Sequence, residues 1–360
     1  YNKLDEGTSI GGFATTADDE YSFVSSVTQP IFDGFSILRQ YDIAKLGLNA
    51  AEIKEKLMRQ DIILQAETVY FTLLKTQKLR KIAEETVVQI DAQRNVAENF
   101  YQVGMSPLND LLQAQVELAN AKQELIVAKN TMENAESDFN TLLRRPVNTP
   151  VAIADILDYS SFKKDLEYCF TQADKNRLEI KIADLEVEIA EKELQLAKKD
   201  YFPTINLEGN YFREGDDWDV DGGEGIFDPR GWNILAVAKW NFFEWGRTYY
   251  GTTEKRSRLS QAQFQKEQIL DNIQQEVKTA YLRKKEAERA IITVEKAIEQ
   301  AKENFRINQE RYKQQVATST DVLDAQTLLS RTMTNYYTAL YAFKIAKATL
   351  YRVMGQRIIE

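Results

Sequence analysis

The segment 99-NFYQVGMSPLNDLLQAQVEL-118 returns in altered form as 310-ERYKQQVATSTDVLDAQTLL-329. A shift of 211 residues aligns the two segments without a gap, placing Tyr101 on Tyr312 and Asp110 on Asp321. The same shift aligns further identical residues outside the two segments, Phe32 with Phe243, Tyr70 with Tyr281, Ala128 with Ala339 and Ala135 with Ala346. The chain is therefore a tandem duplication of one long unit. Because solenoids need three or more short units, we predict instead a pseudo-symmetric assembly whose two halves take equivalent positions.

Composition excludes several classes of function. The 360 residues contain no histidine and a single cysteine, Cys169. Catalytic triads with histidine and zinc sites built on histidine are therefore excluded, and the lone cysteine leaves the redox compartment open. The net charge of -9 argues against binding of nucleic acid, which needs a clustered basic surface. The residue pattern suggests no cofactor.

The chain has no apolar run long enough for a transmembrane helix and no signal peptide before Tyr1. Under the 211-residue shift Tyr1 corresponds to Phe212, and copy two has a further segment, roughly residues 147–211, before that point. We therefore expect that copy one has lost its beginning. The chain would then be a fragment of a longer protein, and the missing part could have held a secretion signal or a lipidated cysteine.

Each copy begins with predicted strands. Residues 200–213 and 231–243 alternate apolar and polar side chains, and Tyr21, Phe23 and Val27 do the same in copy one. The predicted strands are about 10 to 13 residues long and have aromatic residues near their ends, as transmembrane β-barrel strands do. Alternation alone leaves open an amphipathic hairpin in a soluble sheet.

Long helices follow the strands. Residues 35–102 and 248–315 contain no proline and one glycine each, Gly47 and Gly251. At 1.5 Å per residue, each helix would be about 100 Å long. A turn and a second helix of about 36 residues follow in each copy, ending near Arg144 and Met354.

The turns carry signals for the start of the second helix. We predict Ser106 as an N-cap followed by Pro107 as the first helical residue, and Thr318 with Asp321 as a capping box. Small and apolar residues then recur at three-residue and four-residue spacing, which alone would indicate an antiparallel coiled coil. Four strands per chain cannot close a barrel, however, and an open sheet would expose its edges. Several chains must therefore combine their strands.

The combination of these motifs resembles one family. The strand-to-helix junctions read PIFDGF (30–35) and NFFEWG (241–246), the second helices begin with GMSPLNDLLQAQ (104–115) and ATSTDVLDAQ (317–326), and the strand start of copy two reads YFPTINLEGNY (201–211). Together they resemble the TolC outer-membrane efflux proteins over the whole chain. The fold class that this implies is mainly α with a membrane β-barrel portion, built from a duplicated strand pair and long helical hairpin.

The resemblance implies a homotrimer in the outer membrane of a Gram-negative-type cell. Twelve strands would form one barrel in outer-membrane lipid, and twelve helices would continue it as an α-barrel through the periplasm. A periplasmic adaptor would join this duct to an inner-membrane transporter. The expected division of the chain is 1–34 (partial barrel strands), 35–146 (first hairpin), 147–199 (equatorial segment), 200–247 (barrel strand pair), 248–355 (second hairpin) and 356–360 (tail).

The resemblance also implies site residues. The two aspartates at the family's periplasmic entrance match Asp321 and Asp324, and the lock between protomers matches Tyr312 and Asp110. Ala317 stands where some relatives have an arginine, which would weaken the gate. The expected adaptor-binding tips are Val103, Gly104, Met105, Ser106, Pro107 and Leu108 in copy one, and Val316, Ala317, Thr318, Ser319 and Thr320 in copy two.

Two further interpretations remain open. The loop residues Asp217, Asp219, Asp221 and Asp228 have the spacing of a calcium loop, but they lack the usual flanking helices, so an acidic loop facing the cell exterior is the alternative. A periplasmic adaptor or scaffold is the alternative to the export duct, since it also uses a long helical hairpin. An enzyme such as a glycoside hydrolase would need a compact domain with a pocket, and no such domain is evident.

Overall fold

The computed structural model describes residues 2–3, 9–10, 13–14, 19–154, 162–223 and 229–356. Its strands are β1 (Asn2–Lys3), β2 (Ser9–Ile10), β3 (Phe13–Ala14), β4 (Asp19–Asp33), β5 (Thr204–Gly215) and β6 (Arg230–Lys239). Its helices are α1 (Ser36–Gln102), α2 (Leu108–Leu142), α3 (Leu166–Asn176), α4 (Leu178–Ala197), α5 (Arg247–Lys313) and α6 (Ser319–Val353). Within these residues, none of the helices is both long and apolar enough to cross a bilayer.

The duplicated helices have matching lengths. α1 and α5 each have 67 residues, and α2 and α6 each have 35. The prediction of a long first helix in each copy is confirmed to within a few residues. Neither proline nor a pair of glycines interrupts the backbone hydrogen bonds of these helices. Gly47 lies inside α1 and Gly251 inside α5. A Cβ atom added at either position would meet no other atom within 4 Å, so packing does not require glycine there.

The sheet joins strands from both copies. Its order is β1-β4-β5-β6, and all three pairings are antiparallel. β5 lies between β4 and β6, with Phe32 opposite Ile205 and Ala238 opposite Ile205 on the other side. The register of β4 shifts between Pro30 and Phe32, as a β-bulge does. Among the described strands none pairs with the outer edge of β6, and most of the β6 side chains are exposed.

The strand boundaries differ from prediction at one end of the sheet. β5 begins at Thr204, after Pro203 and a 3₁₀ turn over Lys198–Tyr201, rather than at residue 200. Proline has no N–H to donate to a neighbouring strand, so pairing starts after it. β6 ends at Lys239 rather than Phe243, so residues 240–243 are irregular although they continue the alternation. Alternation records side-chain polarity and not where backbone pairing stops.

The passage from strand to helix uses two consecutive left-handed residues in each copy. They are Gly34 and Phe35 before α1, with φ of 67° and 68°, and Trp245 and Gly246 before α5, with φ of 51° and 84°. The 211-residue shift aligns Gly34 with Trp245, so the glycine and the aromatic residue exchange places. A side chain at Gly34 would lie 2.6 Å from the carbonyl oxygen of Lys199, which explains the glycine there. A left-handed residue with a side chain costs roughly 1–2 kcal/mol.

An acidic side chain lies shortly before the first residue of each long helix. Asp33 accepts hydrogen bonds from the hydroxyl of Ser36 at 2.7 Å and the N–H of Ile37 at 2.8 Å. Its counterpart Glu244 accepts one from the hydroxyl of Thr248 at 3.0 Å. A carboxylate at this position satisfies free helix donors and interacts favourably with the helix dipole.

The described chain divides into two compact units. The first comprises Tyr1–Ala51 and Ala183–Lys266 and holds the sheet with the adjoining helix ends. The second comprises Glu52–Ile182 and Glu267–Glu360. Its largest buried cluster packs α3 against α5 and α6 through Cys169, Ala173, Ile273, Val277, Ala280, Leu350, Val353 and Met354.

Buried ion pairs hold the junction between α3 and α4 within the second unit. Arg177 follows α3, and its side chain is only 5% exposed while it pairs with Glu179 at 2.9 Å and Glu276 at 2.8 Å. Arg352 of α6 also pairs with Glu179 at 2.9 Å. Cys169 in the same region is fully buried, and burial raises its pKa to about 11. The thiol is therefore protonated and unreactive at neutral pH.

Candidate functional site

Both long helices end in the same kind of turn. In copy one the N–H groups of Gly104 and Met105 donate to carbonyls of the last helical turn at 3.0 and 2.8 Å. In copy two the equivalent donors are Gln315 and Val316, at 2.9 Å each. Such paired bonds form a Schellman motif, whose central residue is left-handed. Gly104 and Gln315 indeed have φ of 75° and 61°. The duplication has kept the geometry of the tip while changing its residues.

The two tips differ in how the second helix is capped. The hydroxyl of Thr318 accepts the N–H of Asp321 at 3.2 Å, and the Asp321 carboxylate accepts the N–H of Thr318 at 2.8 Å, so the predicted capping box is present. The predicted cap at Ser106 is wrong. Pro107 is the N-cap of α2, without a side-chain hydrogen bond, and the Ser106 hydroxyl donates to the Asp110 carboxylate at 3.0 Å instead.

A buried tyrosine joins the two tips. Tyr312 is only 3% exposed, and its ring lies 5.4 Å from that of Phe100. Burial raises the pKa of Tyr312, the charge of Asp110 acts in the same direction, and the hydroxyls of Ser106 and Ser319 oppose them. The structure therefore brings Tyr312 and Asp110, the two predicted lock residues, into one cluster within a single chain.

The two predicted entrance aspartates have different surroundings. Hydrogen bonds from the N–H and the hydroxyl of Thr318 hold the pKa of Asp321 below its ordinary value. Asp324 lies one turn farther along α6 and is exposed, and no group in the described ranges forms a hydrogen bond or ion pair with it. Asp321 therefore has a structural task, whereas the Asp324 carboxylate is available to ions.

Apolar side chains dominate the exposed part of the tips. Val103 is 67% exposed, Met105 54% and Val316 61%. Two of the other residues predicted for docking are engaged within the chain, since Ser319 is fully buried and the Thr320 hydroxyl donates to the Gln113 side chain at 2.7 Å. The remaining members of the predicted docking set are Gly104, Ser106, Pro107, Leu108, Ala317 and Thr318.

The described part of the acidic loop does not support a calcium site. The Asp217 carboxylate accepts the N–H of Asp219 at 2.9 Å, and the Asp219 carboxylate accepts the N–H of Asp221 at 3.2 Å. Asp221 pairs with Arg213 at 2.7 Å. Asp228 lies outside the described residues, and within them no cluster of three or more acidic or cysteine side chains could hold a metal ion. The carboxylates stabilise the loop rather than converge on one centre.

Polar contacts between α1 and α6 were not predicted from the sequence. The hydroxyls of Thr86 and Ser330 lie 2.7 Å apart, and the Gln93 amide donates to the Ser319 hydroxyl at 3.5 Å. Thr86 and Gln93 are seven residues apart and so lie on one face of α1. That spacing was the available signal, but it does not reveal which helix is the partner.

Comparisons with known proteins identify the family. The sequence matches the model described as outer membrane efflux protein over residues 4–143 and 170–356. No curated protein matches it. The fold is similar to that of CusC, with a TM-score of 0.83 and 18% identity over 98% of this chain and 81% of CusC.

Two further channel structures have the same fold. CmeC of Campylobacter jejuni gives a TM-score of 0.80 and 16% identity over 93% of this chain and 77% of CmeC. MtrE of Neisseria gonorrhoeae in its open state gives 0.76 and 17% over 95% of this chain and 81% of MtrE. Both are described as outer membrane channels. The chain therefore belongs to the outer membrane efflux protein family, a family of channels rather than enzymes.

Proposed function

We propose that the chain forms, as a homotrimer, the exit duct of a tripartite efflux or type I secretion system. It would conduct substrates passively from an inner-membrane transporter through the periplasm and across the outer membrane. Residues 1–34 and 200–247 would supply barrel strands, 35–146 and 248–355 the two helical hairpins, 147–199 an equatorial segment and 356–360 a tail. The family match favours this duct over the adaptor or scaffold alternative.

A difference in burial between matched positions of α2 and α6 carries the proposal. Leu323 of α6 is 3% exposed and packs in a cluster with Ile90 and Ala97 of α1. Its counterpart in α2, Leu112, is 50% exposed. Because the copies share their sequence pattern, the equivalent face of α2 needs an equivalent cover, and in this chain none of the described helices supplies it.

The duplication identifies the missing cover. Within the chain, α1 covers α6, with Thr86 against Ser330 at 2.7 Å. The 211-residue shift converts α1 into α5 and α6 into α2, so the corresponding pair is Ala297 of α5 and Ala119 of α2. We infer that α5 of one chain lies against α2 of the next. Repetition of this contact closes a ring in which every helix has two neighbours.

The sheet leads to the same requirement. The sheet has four strands, and none of the described strands pairs with the outer edge of β6. Two apolar side chains of β6 are also exposed, Trp232 by 73% and Ile234 by 63%. An exposed strand edge beside apolar side chains favours pairing with another chain. Three chains would supply twelve strands, a number within the range of known outer-membrane barrels.

Engineered disulfides test the ring. In a Cys169→Ser background, Ala119→Cys with Ala297→Cys should cross-link chains to each other on oxidation, giving a ladder that ends at a covalent trimer. The matched control is Thr86→Cys with Ser330→Cys, which should cross-link within one chain and leave it a monomer on a denaturing gel. A monomer from the first pair in the membrane-inserted protein would contradict the proposed ring.

The tips are the proposed contacts with other proteins and with ions. Their exposed apolar residues, Val103, Met105 and Val316, suit an adaptor whose own tip is apolar. Asp321 and Asp324 would line the periplasmic entrance, with Tyr312 and Asp110 holding the tips together. Three copies of each carboxylate near one axis would concentrate negative potential and attract cations.

A further inference from the structure

A groove lies on one face of α5 and α6, and the proposed duct alone does not explain it. Its volume is about 1070 Å³, at the upper end of the range for small-molecule sites, roughly 300–1,000 Å³. Every lining residue belongs to the second unit. We call it the α5–α6 groove. Small side chains supply much of its lining: Ala287, Ala290, Thr338, Ala339, Ala342 and Ala346.

The duplication contains the same groove twice. A smaller groove of about 330 Å³ lies on α1 and α2. The 211-residue shift places six of its seven lining residues on residues that line the α5–α6 groove. In order, Thr76, Leu79, Glu124, Val127, Ala128 and Thr131 fall on Ala287, Ala290, Asn335, Thr338, Ala339 and Ala342. The groove is therefore a property of the repeated unit and not an accident of one hairpin.

The equatorial helix α3 leaves the α5–α6 groove uncovered. Leu350 of α6 belongs to the buried cluster with α3, whereas Thr349 lines the groove. On α5, Ile273 and Asn272 are divided in the same way. At 3.6 residues per turn, consecutive side chains point about 100° apart. The groove and α3 therefore occupy different faces of the same two helices.

The proposed ring gives this face a direction. α6 has α1 on one side and α5 on the other, as the contacts of Ser330 with Thr86 and of Leu340 with Ile291 show. Of the two faces that remain, one points into the duct and one points away from it. A helix on the inner face would obstruct the duct, so α3 lies outside and the groove opens into the lumen.

The groove carries cations without partners. Lys75 of α1 and Arg283 of α5 line it, and neither forms a hydrogen bond or ion pair with another described residue. Of the two carboxylates in the lining, Glu276 is paired with Arg177 at 2.8 Å, which leaves Glu286. Two free cations therefore face one free carboxylate, in a chain whose net charge is -9.

The smaller groove differs in both charge and size. Among its described lining residues Glu124 is the charged one, and none is cationic. It also has Leu79 where the α5–α6 groove has Ala290. A concave surface lined by one sign of charge concentrates ions of the opposite sign. The α5–α6 groove thus combines room, an apolar lining and a local preference for anions.

We propose that the α5–α6 groove is a binding site inside the duct for amphipathic organic anions in transit. The apolar part of such a cargo lies on the alanine side chains, and its acidic group pairs with Lys75 and Arg283, because guanidinium and ammonium groups bind carboxylate, sulfonate or phosphate oxygens. This site rests on the proposed function, since only the ring places the groove in the lumen. A helix of a neighbouring chain is the competing occupant.

Cysteine modification tests the charge and the access of the groove in the membrane-inserted full chain. In a Cys169→Ser background, Ala342→Cys reports on the α5–α6 groove and Thr131→Cys, its counterpart, is the matched control. The reagents are two methanethiosulfonates of similar size, one carrying a sulfonate and one a trimethylammonium group. The ratio of the anionic to the cationic rate should be at least about threefold higher at position 342 than at 131.

Two results of this measurement would overturn the proposal. One is an equal ratio at the two positions. The other is a lack of reaction with both reagents at position 342, which would mean that protein covers the groove. Adding Lys75→Gln and Arg283→Gln should remove the difference between the positions, and a difference that persists would show that these two cations do not create it.

Protection by a small molecule tests binding itself. The probe is 2-naphthalenesulfonate, and 2-naphthyltrimethylammonium is the control with the same ring and the opposite charge. The sulfonate should slow modification of Ala342→Cys by at least about threefold, and the ammonium compound should not. Equal protection by both compounds, or protection by neither, would overturn the proposal.

The proposed function is measured separately in the same membranes. Its readouts are the covalent trimer from Ala119→Cys with Ala297→Cys and ion conductance in planar bilayers. If both are present but the sulfonate does not protect Ala342→Cys, only the groove fails as a binding site. If both are absent, the duct fails, and a binding site inside it fails as well.

Discussion

The α1–α2 hairpin and the α5–α6 hairpin have helices of equal length and the same tip geometry, yet they bury different faces. Leu323 and Gln326 of α6 are each 3% exposed, whereas the matched Leu112 and Gln115 of α2 are exposed. Length and turn type follow from local sequence, which the duplication copied. Burial depends on the neighbour, and only one of the two hairpins finds its neighbour within the chain.

The largest expected effect concerns the two tips. Met105→Asp together with Val316→Asp should reduce export by roughly tenfold or more, because a charge placed in an apolar contact pays a large desolvation cost. Export of a pump substrate from cells is the measurement, with trimer content on native gels as the control. Each single variant shows whether one tip or both contact the adaptor. Full export by the double variant would contradict the docking role.

A leucine pair tests the difference in burial directly. Leu323→Ala should destabilise the helices by about 2–5 kcal/mol, the usual loss for a buried leucine. Leu112→Ala should have little effect on denaturant unfolding of dissociated chains, followed by circular dichroism, but should weaken the trimer. Equal losses from both variants in dissociated chains would show that α2 is already covered within the chain.

The carboxylates near the tips should differ in their effect on ions. Asp324→Ala should reduce cation selectivity and block by trivalent cations in planar bilayers, because three such carboxylates concentrate negative potential at a narrow entrance. The copy-one counterpart of Asp324 is Gln113, so Gln113→Ala is the uncharged control and should change selectivity less. Unchanged selectivity in an Asp321→Ala and Asp324→Ala double variant would locate the gate elsewhere.

The smallest expected effect concerns the helix caps. Thr318→Ala removes a capping box and should cost about 1 kcal/mol, whereas Ser106→Ala removes no cap and should cost less. Thermal melts of the two variants under identical conditions provide the comparison. A larger loss from Ser106→Ala would mean that its bond to Asp110 matters more than a cap.

The cap also predicts a pH dependence. Because the folded state lowers the pKa of Asp321, its contribution to stability is complete above the ordinary value of 3.8 and is lost as the pH falls through the lower folded value. Asp321→Ala removes the titrating carboxylate, so the part of its destabilising effect that comes from the charged form should disappear in strongly acidic solution. A constant difference from the unmodified protein down to the lowest pH would contradict this account.

The sequence predicted the features that depend on local composition. The absence of proline over residues 35–102 and 248–315 gave both long helices, and Thr318 with Asp321 gave one cap. Ser106 failed as a cap because α2 begins one residue later than predicted, with Pro107 as its N-cap. A residue pattern places the start of a helix only to within one or two residues.

Features that depend on distant neighbours were beyond the sequence. β6 ends at Lys239 because its partner β5 begins at Thr204, opposite Lys239, whereas the alternation continues past that point. The family resemblance named Tyr312 and Asp110 as lock residues between protomers, but spacing along the chain could not indicate that α2 and α5 bring them together within one chain. The partner of α2 could be inferred only when the duplication was combined with observed burial.

The free edge of the sheet has a consequence for the life of a single chain. With the outer edge of β6 unpaired among the described strands and with Trp232 and Ile234 exposed, a newly made chain carries a surface that favours association with any exposed strand. Its stability then depends on how many copies are nearby, since binding of partners stabilises by mass action. At low expression the chain should therefore be lost to proteolysis or aggregation more often, per molecule, than at high expression. Cellular half-life should lengthen as synthesis increases.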